Sequence, residues 1–302
     1  VAKQSYLWLA IGIACGSLLG CFPVSDHTLP ELELLSVLPV EAPYPLEPSG
    51  LAAHNGRFYT VADKIDPIIF ALEFEADCVR LKEAIVFFLP EKGPMDWEGI
   101  TVDAGGTFYL ISEAKGRVLR VTPDGTASWA TDDLREAGRL KGLFAKDNAG
   151  FEGITWLGPN RWLGAVEREP RGILEWSGTP PQLSISATIQ NTSPYQHALS
   201  FLRLADYAGL DTDAGRTYAL FRNAHLVVEL NKSETGWNEI AAWNYRSIET
   251  DPQYAYRNQT FGQAEGLVVQ GQDIYLIFDN NRGPRRSDRN DTRPIFVHAR
   301  RP

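Results

Sequence analysis

The chain has 302 residues, 44% apolar and 22% charged, with 26 glycines and 19 prolines. That balance excludes a largely disordered or collagen-like chain and is ample for one sizeable core. With 29 Lys and Arg against 38 Asp and Glu, the net charge is −9, so no basic excess exists to neutralise phosphates and no nucleic-acid partner is expected.

The first segment reads as an address. After Lys3, an apolar run extends from Leu7 to Cys21. It has the length of a signal-peptide core and is short for a membrane-spanning helix. Its end, Leu18-Leu19-Gly20-Cys21, resembles the bacterial lipobox. Residues 1–21 are therefore expected to be a lipoprotein signal peptide, with ordinary secretion and a retained anchor as alternatives. Cys21 would carry lipid and hold the protein to a membrane of the bacterial cell envelope, outside the cytoplasm. Residues 22–30 read as a tether. Cys78 is then the one remaining thiol, and its neighbour Asp77 disfavours a thiolate.

Next in chain order comes Leu32–Leu38, an isolated apolar strand. Five copies of one hairpin follow. Pro48-Ser49-Gly50-Leu51 precedes Phe58–Asp63, and Trp97-Glu98-Gly99-Ile100 precedes Phe108–Glu113. Phe151-Glu152-Gly153-Ile154 precedes Trp162–Glu167, and Tyr207-Ala208-Gly209-Leu210 precedes Tyr218–Arg222. Ala264-Glu265-Gly266-Leu267 precedes Ile274–Asp279. The glycines are spaced by 49, 54, 56 and 57 residues. A third strand follows in each copy, and a fourth in several. Four strands per repeat of about 50 residues is the arithmetic of a β-propeller blade. The fifth copy has room for three strands, so the strand near Leu32 is expected to complete it and remove a free edge. The spacing predicts one all-β domain over residues 31–302, a five-bladed β-propeller closed by its N-terminal strand. A sixth blade would need a cryptic repeat within residues 231–262.

In an antiparallel hairpin the start of one strand lies beside the end of the next. The first strands start at Ser49, Glu98, Glu152, Ala208 and Glu265, and the second strands end at Asp63, Glu113, Glu167, Arg222 and Asp279. Innermost propeller strands line the axis, so these ends should converge there. Seven of the ten positions are acidic, and seven carboxylates cannot all stay ionised at close range without compensation. Either a hard cation compensates them, calcium fitting best, or the acids hold the ring through backbone N–H groups. Glu98 and Glu152 rank highest as metal ligands, with Glu265 next and Asp63, Asp279, Glu113 and Glu167 as a more peripheral tier. Zinc is not expected, because no cysteine cluster exists and the histidines are scattered. Arg222 is either a salt-bridge partner in the mouth or a clamp for an anion. The segment 281–293 holds five arginines and reads as a solvated loop or as a clamp for a phosphate-bearing ligand. Trp97, Tyr109, Trp162 and Tyr275 read as packing between blades.

The D-x-E-G-I-like starts, with Asp206-Tyr207-Ala208-Gly209-Leu210 and Gln263-Ala264-Glu265-Gly266-Leu267 followed by Ile274-Tyr275-Leu276-Ile277, resemble the SdiA-regulated family. They also resemble phytase-like or esterase-like secreted propellers. The resemblance implies a calcium-associated propeller in the bacterial envelope whose glutamates match Glu98, Glu152 and Glu265. This chain departs from it at Ala208, Arg222 and Asp279. The expected function is a noncatalytic envelope protein that binds a small anionic ligand or an envelope partner. The alternative is a metal-assisted phosphoesterase or esterase/lactonase, with Glu113 or Glu167 as general base and Arg222 steadying the developing anion.

Overall fold

The computed structural model describes residues 29–302, except Asn148, Phe201, Asn258 and the Thr179 side chain. The signal segment, the lipobox with Cys21 and most of the tether lie outside the described residues. Leu29 already packs on the core, and the Pro30 carbonyl accepts a bond from Asn244 N.

The first strand, β1, spans Glu33–Glu41. The first repeat forms β2 (Pro48–His54), β3 (Arg57–Ala62), β4 (Ile65–Phe74) and β5 (Val79–Val86). The second forms β6 (Trp97–Val102), β7 (Phe108–Ser112), β8 (Arg117–Val121) and β9 (Ala127–Trp129), followed by helix α1 (Leu134–Arg139). The third forms β10 (Phe151–Gly158), β11 (Arg161–Val166), β12 (Gly172–Thr179) and β13 (Gln182–Ile189). The fourth forms β14 (Gly209–Asp213), β15 (Arg216–Phe221), β16 (Leu226–Ser233) and β17 (Gly236–Asn244), followed by helix α2 (Arg246–Thr250). The last forms β18 (Ala264–Gln270), β19 (Asp273–Phe278) and β20 (Ile295–Arg300).

The second, third and fourth repeats are each one four-stranded sheet in chain order. The remaining strands make an eight-stranded sheet, β18-β19-β20-β1-β5-β4-β3-β2. β1 lies antiparallel to β20, from Glu33 opposite Arg300 to Pro39 opposite Ile295. The chain's two ends therefore close the fold together, as the spare N-terminal strand predicts. β1 also runs on past β20 and pairs in parallel with β5 at Val40–Val79 and Glu41–Arg80. That seam between neighbouring repeats leaves no sequence signal. Residues 231–262 complete β16 and β17 and carry α2, with no further sheet among the described residues.

Burial explains the strand sequences. The second strands are flanked on both faces by neighbouring sheets, so β7 (F-Y-L-I-S) is buried throughout. β13 (Q-L-S-I-S-A-T-I) is an outer strand and alternates between exposed and partly buried residues. Aromatic side chains from successive repeats meet between sheets: Tyr59 lies 4.9 Å from Phe108, Tyr109 5.3 Å from Trp162, and Phe58 4.7 Å from Tyr275. This is the packing role read from Tyr109, Trp162 and Tyr275. Trp97 is fully buried and donates its indole N–H to the Asp66 carbonyl.

The repeated glycines have a steric cause. A Cβ on Gly99 would fall 2.9 Å from the Gly153 Cα, and one on Gly153 would fall 2.9 Å from the Gly209 Cα. Gly50 abuts Gly99 and Gly266 abuts Gly50 in the same way. The first strands pack backbone to backbone around an axis, at a distance only glycine permits. The result is an all-β, propeller-like closed fold with the strand starts gathered on that axis.

Candidate functional site

The repeat motif aims its acidic residues through local backbone geometry. β2, β6, β10 and β18 each begin with a register shift, centred on Ser49, Glu98, Glu152 and Glu265. Such a bulge adds one residue to a strand and re-aims its side chain. β14, where Ala208 replaces the acid, pairs with β15 without a shift. The ends of the second strands are fastened to the same place. Asp63 N donates to Glu47 O (3.1 Å), Glu113 N to Asp96 O (2.9 Å), Glu167 N to Gly150 O (3.0 Å) and Asp279 N to Gln263 O (2.8 Å). Starts and ends thus share one mouth, as their spacing in sequence implies.

One side of the mouth is organised by Arg222. Its Nε donates to Asp206 Oδ2 (2.8 Å), its Nη2 to Glu167 Oε1 (3.0 Å) and its Nη1 to Glu265 Oε1 (2.5 Å). Glu152 Oε2 lies 3.7 Å from the same Nη1. Glu167 also pairs with Arg168. Asp206 is fully buried and accepts a second bond from Asn223 N (2.8 Å). Burial pushes the Glu265 carboxyl up to about 8 against the opposing pull of Arg222. Burial also raises Glu152 well above the usual carboxylate range, with Glu98 adding to the effect.

The opposite side has no such guanidinium. Ligand oxygens of Asp63, Asp96 and Glu98 lie within 4.8 Å of one another. Lys64 pairs with Asp63 and stands 3.5 Å from Asp96 Oδ1, but its side chain is 58% exposed. Asp63 Oδ1 is buried and has no hydrogen-bond donor among the described residues. A side-chain hydrogen bond with Asp63, then burial, pushes Asp96 up to about 7. Burial, then the charges of Glu265 and Asp63, raises Glu98 well above the usual range. Asp279 stands nearby, raised by burial to about 6, and accepts Asn281 N at 2.8 Å. The five expected ligands therefore divide. Glu98 and Asp63 come together, Glu152 and Glu265 face Arg222, and Asp279 stands apart from the tight cluster.

Two acidic residues of the mouth, Asp96 and Asp206, fell within the quoted motifs but were given no role. Both sit three residues before the repeated glycine, at Gly99 and Gly209, and that shared offset is the signal that could have found them. Asp96 adopts φ 55°, a left-handed turn that aspartate tolerates better than most residues. A second group with metal-ligand spacing is Glu75, Asp77 and Cys78. There Arg80 already holds Glu75 (2.8 Å), and burial pushes the Cys78 thiol up.

The axis itself is nearly filled. The gap lined by Glu98, Glu152 and Glu265 at the glycine ring measures about 10 Å³, the limit for a single water. A larger recess of about 210 Å³ opens beside it, lined by Asp96, Glu113, Arg135, Arg139 and Lys146. Glu113 Oε1 accepts Gly150 N (2.9 Å), which fixes the side chain at the wall of this recess. The arginine-rich segment is largely satisfied internally. Arg285 is buried and bonds Asp291 (2.9 Å), Arg293 bonds Asp291 (2.9 Å) and Glu41 (3.1 Å), and Arg282 bonds Glu47 (2.7 Å).

The family model described as SdiA-regulated matches residues 52–282. This chain belongs to the SdiA-regulated family. The match spans β3 to β19 and includes every acidic position of the mouth. Comparison with curated proteins gives no match. Among solved structures, the chain is similar to virginiamycin B lyase from Staphylococcus aureus (15% identity, 85% of this chain and 68% of that chain, TM-score 0.42). It is similar to the PQQ-bound aldose sugar dehydrogenase from Streptomyces coelicolor (11% identity, 89% and 98% covered, TM-score 0.45). It is also similar to a luciferin-regenerating enzyme (11% identity, 84% and 76% covered, TM-score 0.46). The noncatalytic binding or scaffold role expected from the sequence is corrected here. The three structures just named are of enzymes, and the hydrolase alternative goes forward on the geometry of the mouth alone.

Proposed function

We propose that this SdiA-regulated protein is a calcium-dependent hydrolase of phosphoesters or carboxylic esters, acting at the acidic mouth of a five-bladed propeller. The blade count is supported by glycines of successive repeats that abut from Gly266 through Gly50, Gly99 and Gly153 to Gly209, with Gly209 facing the Glu265 carbonyl, and by β1 completing the last repeat. The observation that carries the reading is the Asp63–Asp96–Glu98 cluster with its orphaned, buried Asp63 Oδ1. A buried acceptor without a partner costs stability, and a cation in contact with all three carboxylates would remove that cost. Oxygen donors only, in loose geometry, fit calcium better than magnesium. Bound there, calcium would supply Lewis-acid charge against a phosphoryl or carbonyl oxygen.

The chain's own groups supply the rest. The recess of about 210 Å³ beside Asp96 takes the reacting group, because the axial gap is too small. Glu113 stands at its wall with Oε1 held by Gly150 N, and its second oxygen takes the proton of the attacking water. Of the cations lining the same recess, Arg135 is paired with Asp133 and Lys146 with Glu169, which leaves Arg139 to meet an anionic group of the substrate. Glu167 and Arg222 act from the other side: their ion pair holds Glu152 and Glu265 in place. Envelope anchoring through Cys21 places the reaction outside the cytoplasm.

The test is turnover of p-nitrophenyl phosphate and p-nitrophenyl butyrate by the purified chain. Hydrolysis of at least one should require calcium, stop in EDTA, and fall at least a hundredfold in Glu113→Gln. Absence of turnover of either ester, or activity that survives EDTA unchanged, would sink the proposal.

A further inference from the structure

A second recess on the same face carries chemistry of the opposite sign. It measures about 180 Å³ and lies between the loop after β13, helix α2 and the segment leading into β18. Arg203, Arg246, Arg286, His225 and Glu249 are among its lining residues. In a chain of net charge −9, three arginines converging on one small recess call for a cause.

None of these arginines has an ion pair among the described residues. Arg203 stacks its guanidinium 4.5 Å over the Phe261 ring. Arg246 donates Nη2 to the carbonyls of Ala198 (2.5 Å) and Ala224 (3.4 Å). Arg286 donates Nε to the Tyr256 carbonyl (3.1 Å). Each contact orients the side chain and leaves its charge uncompensated. The arginines of the same region that serve the fold behave differently, since Arg285 and Arg293 both bind Asp291. The one carboxylate lining the recess is Glu249, and it is committed elsewhere. Its Oε1 accepts Gln263 N (2.8 Å) and its Oε2 bonds His225 Nδ1 (3.0 Å).

His225 is thereby oriented. It sits at φ 59°, a left-handed position at the end of the turn that follows Arg222, and its ring packs edge-on to Tyr245 at 5.8 Å. With Nδ1 bound to Glu249, Nε2 is the ring atom left to meet a ligand, and it has no partner among the described residues. A carboxylate behind a histidine fixes which nitrogen faces outward.

We propose that this recess is a binding site for a phosphate-class oxyanion, gripped by Arg203, Arg246 and Arg286 with His225 Nε2 as a further contact. Guanidinium groups match tetrahedral oxyanions through paired N–H donors. A volume of about 180 Å³ is below the few hundred Å³ of a drug-sized pocket, so it suits a phosphate or the head of a phosphomonoester. The recess adjoins the acidic mouth through the peptide from Gly262 to Glu265: Gly262 N donates to Asn223 Oδ1 (3.2 Å), and Glu265 binds Arg222. The site needs no metal and no catalysis at the mouth.

The experiment is calorimetric titration of inorganic phosphate into the purified full chain after EDTA treatment, so that no metal mediates the binding. Wild type should saturate with a dissociation constant of about 1 mM or lower. The double variant R203Q/R286Q should bind at least tenfold more weakly with an unchanged melting temperature. Arg246 is left intact because it ties two loops together. R57Q, at the exposed start of β3, should bind as wild type does. Failure of wild type to bind phosphate would overturn the proposal. So would equal binding by the double variant, or a loss in R57Q as large as in the double variant. Because calcium is absent throughout, a failed calcium site leaves this result standing, and the reverse also holds.

Discussion

The two sides of the acidic mouth solve one electrostatic problem in different ways. On one side Arg222 sits among Asp206, Glu152, Glu167 and Glu265. On the other, Asp63, Asp96 and Glu98 converge with the exposed Lys64 as their nearest cation. The repeats supply mostly acidic residues at equivalent positions, Ser49 aside, and the guanidinium comes from the fourth repeat alone. It replaces a strand-start acid with Ala208 and a strand-end acid with Arg222. A built-in guanidinium makes the first side self-sufficient. The second has no buried guanidinium among the described residues and retains an orphaned oxygen, the state expected of ligands awaiting a cation.

The largest expected effect comes from breaking the self-sufficient side. Arg222→Met would leave four acidic groups around an apolar stem. Removing one partner of a buried ion pair typically costs about 3–5 kcal/mol, to be read by urea unfolding. If the purified variant unfolds too readily to measure, Arg222→Lys should recover part of the loss, because it restores charge without the forked geometry. A variant as stable as wild type would mean that Arg222 compensates nothing.

The glycine ring gives the next effect. Gly153→Ala places a Cβ 2.9 Å from the Gly209 Cα, and both atoms belong to packed strands. Overpacking of this kind costs about 1–3 kcal/mol. Gly215→Ala, a turn glycine whose Cβ would meet nothing within 4 Å, separates crowding from conformational strain. Its φ of 79° makes it mildly destabilising for the second reason alone.

Acidity is shifted upward on both sides. Asp96 has its folded value raised from 3.8 to about 7. The folded protein therefore keeps a proton that the unfolded chain gives up. Stability from this group is complete below its unfolded value and lost as pH rises through about 7. Glu265, raised to about 8, and Asp279, raised to about 6, act in the same direction. In EDTA the melting temperature should fall between about pH 5 and about pH 8, and Asp96→Asn should flatten the slope. A rising curve would contradict the assignment.

The smallest effect is the most diagnostic of a cation site. Lys64 competes for Asp63 and Asp96 from an exposed position. Lys64→Gln should tighten calcium binding by a few-fold, in line with the modest strength of exposed ion pairs. Weaker binding would show that Lys64 supports the site instead of competing for it.

Much of this architecture was legible in the chain itself. The glycine-acid starts, the constant offset to the strand ends and the spare strand near Leu32 fix the converging mouth and its closure, because all three follow from strand pairing. The parallel seam between β1 and β5 was hidden, since two residue pairs leave no periodic trace. The three-residue β9 (Ala127–Trp129) is too short to show a period of two. Asp96 was legible only by aligning the repeats at the third residue before the glycine. His225 looked isolated because its partner Glu249 lies on α2, 24 residues away, beyond any local pattern.

The central claim is that the mouth's uncompensated side is a calcium site. Calorimetric titration of calcium into the EDTA-treated chain tests it most directly, alongside the melting temperature. The account predicts saturable uptake at millimolar calcium or below, a higher melting temperature by linkage, and loss of at least tenfold in affinity in Asp96→Asn and in Glu98→Gln. Calcium that neither binds nor shifts the melting temperature would contradict it, as would binding that both variants leave unchanged.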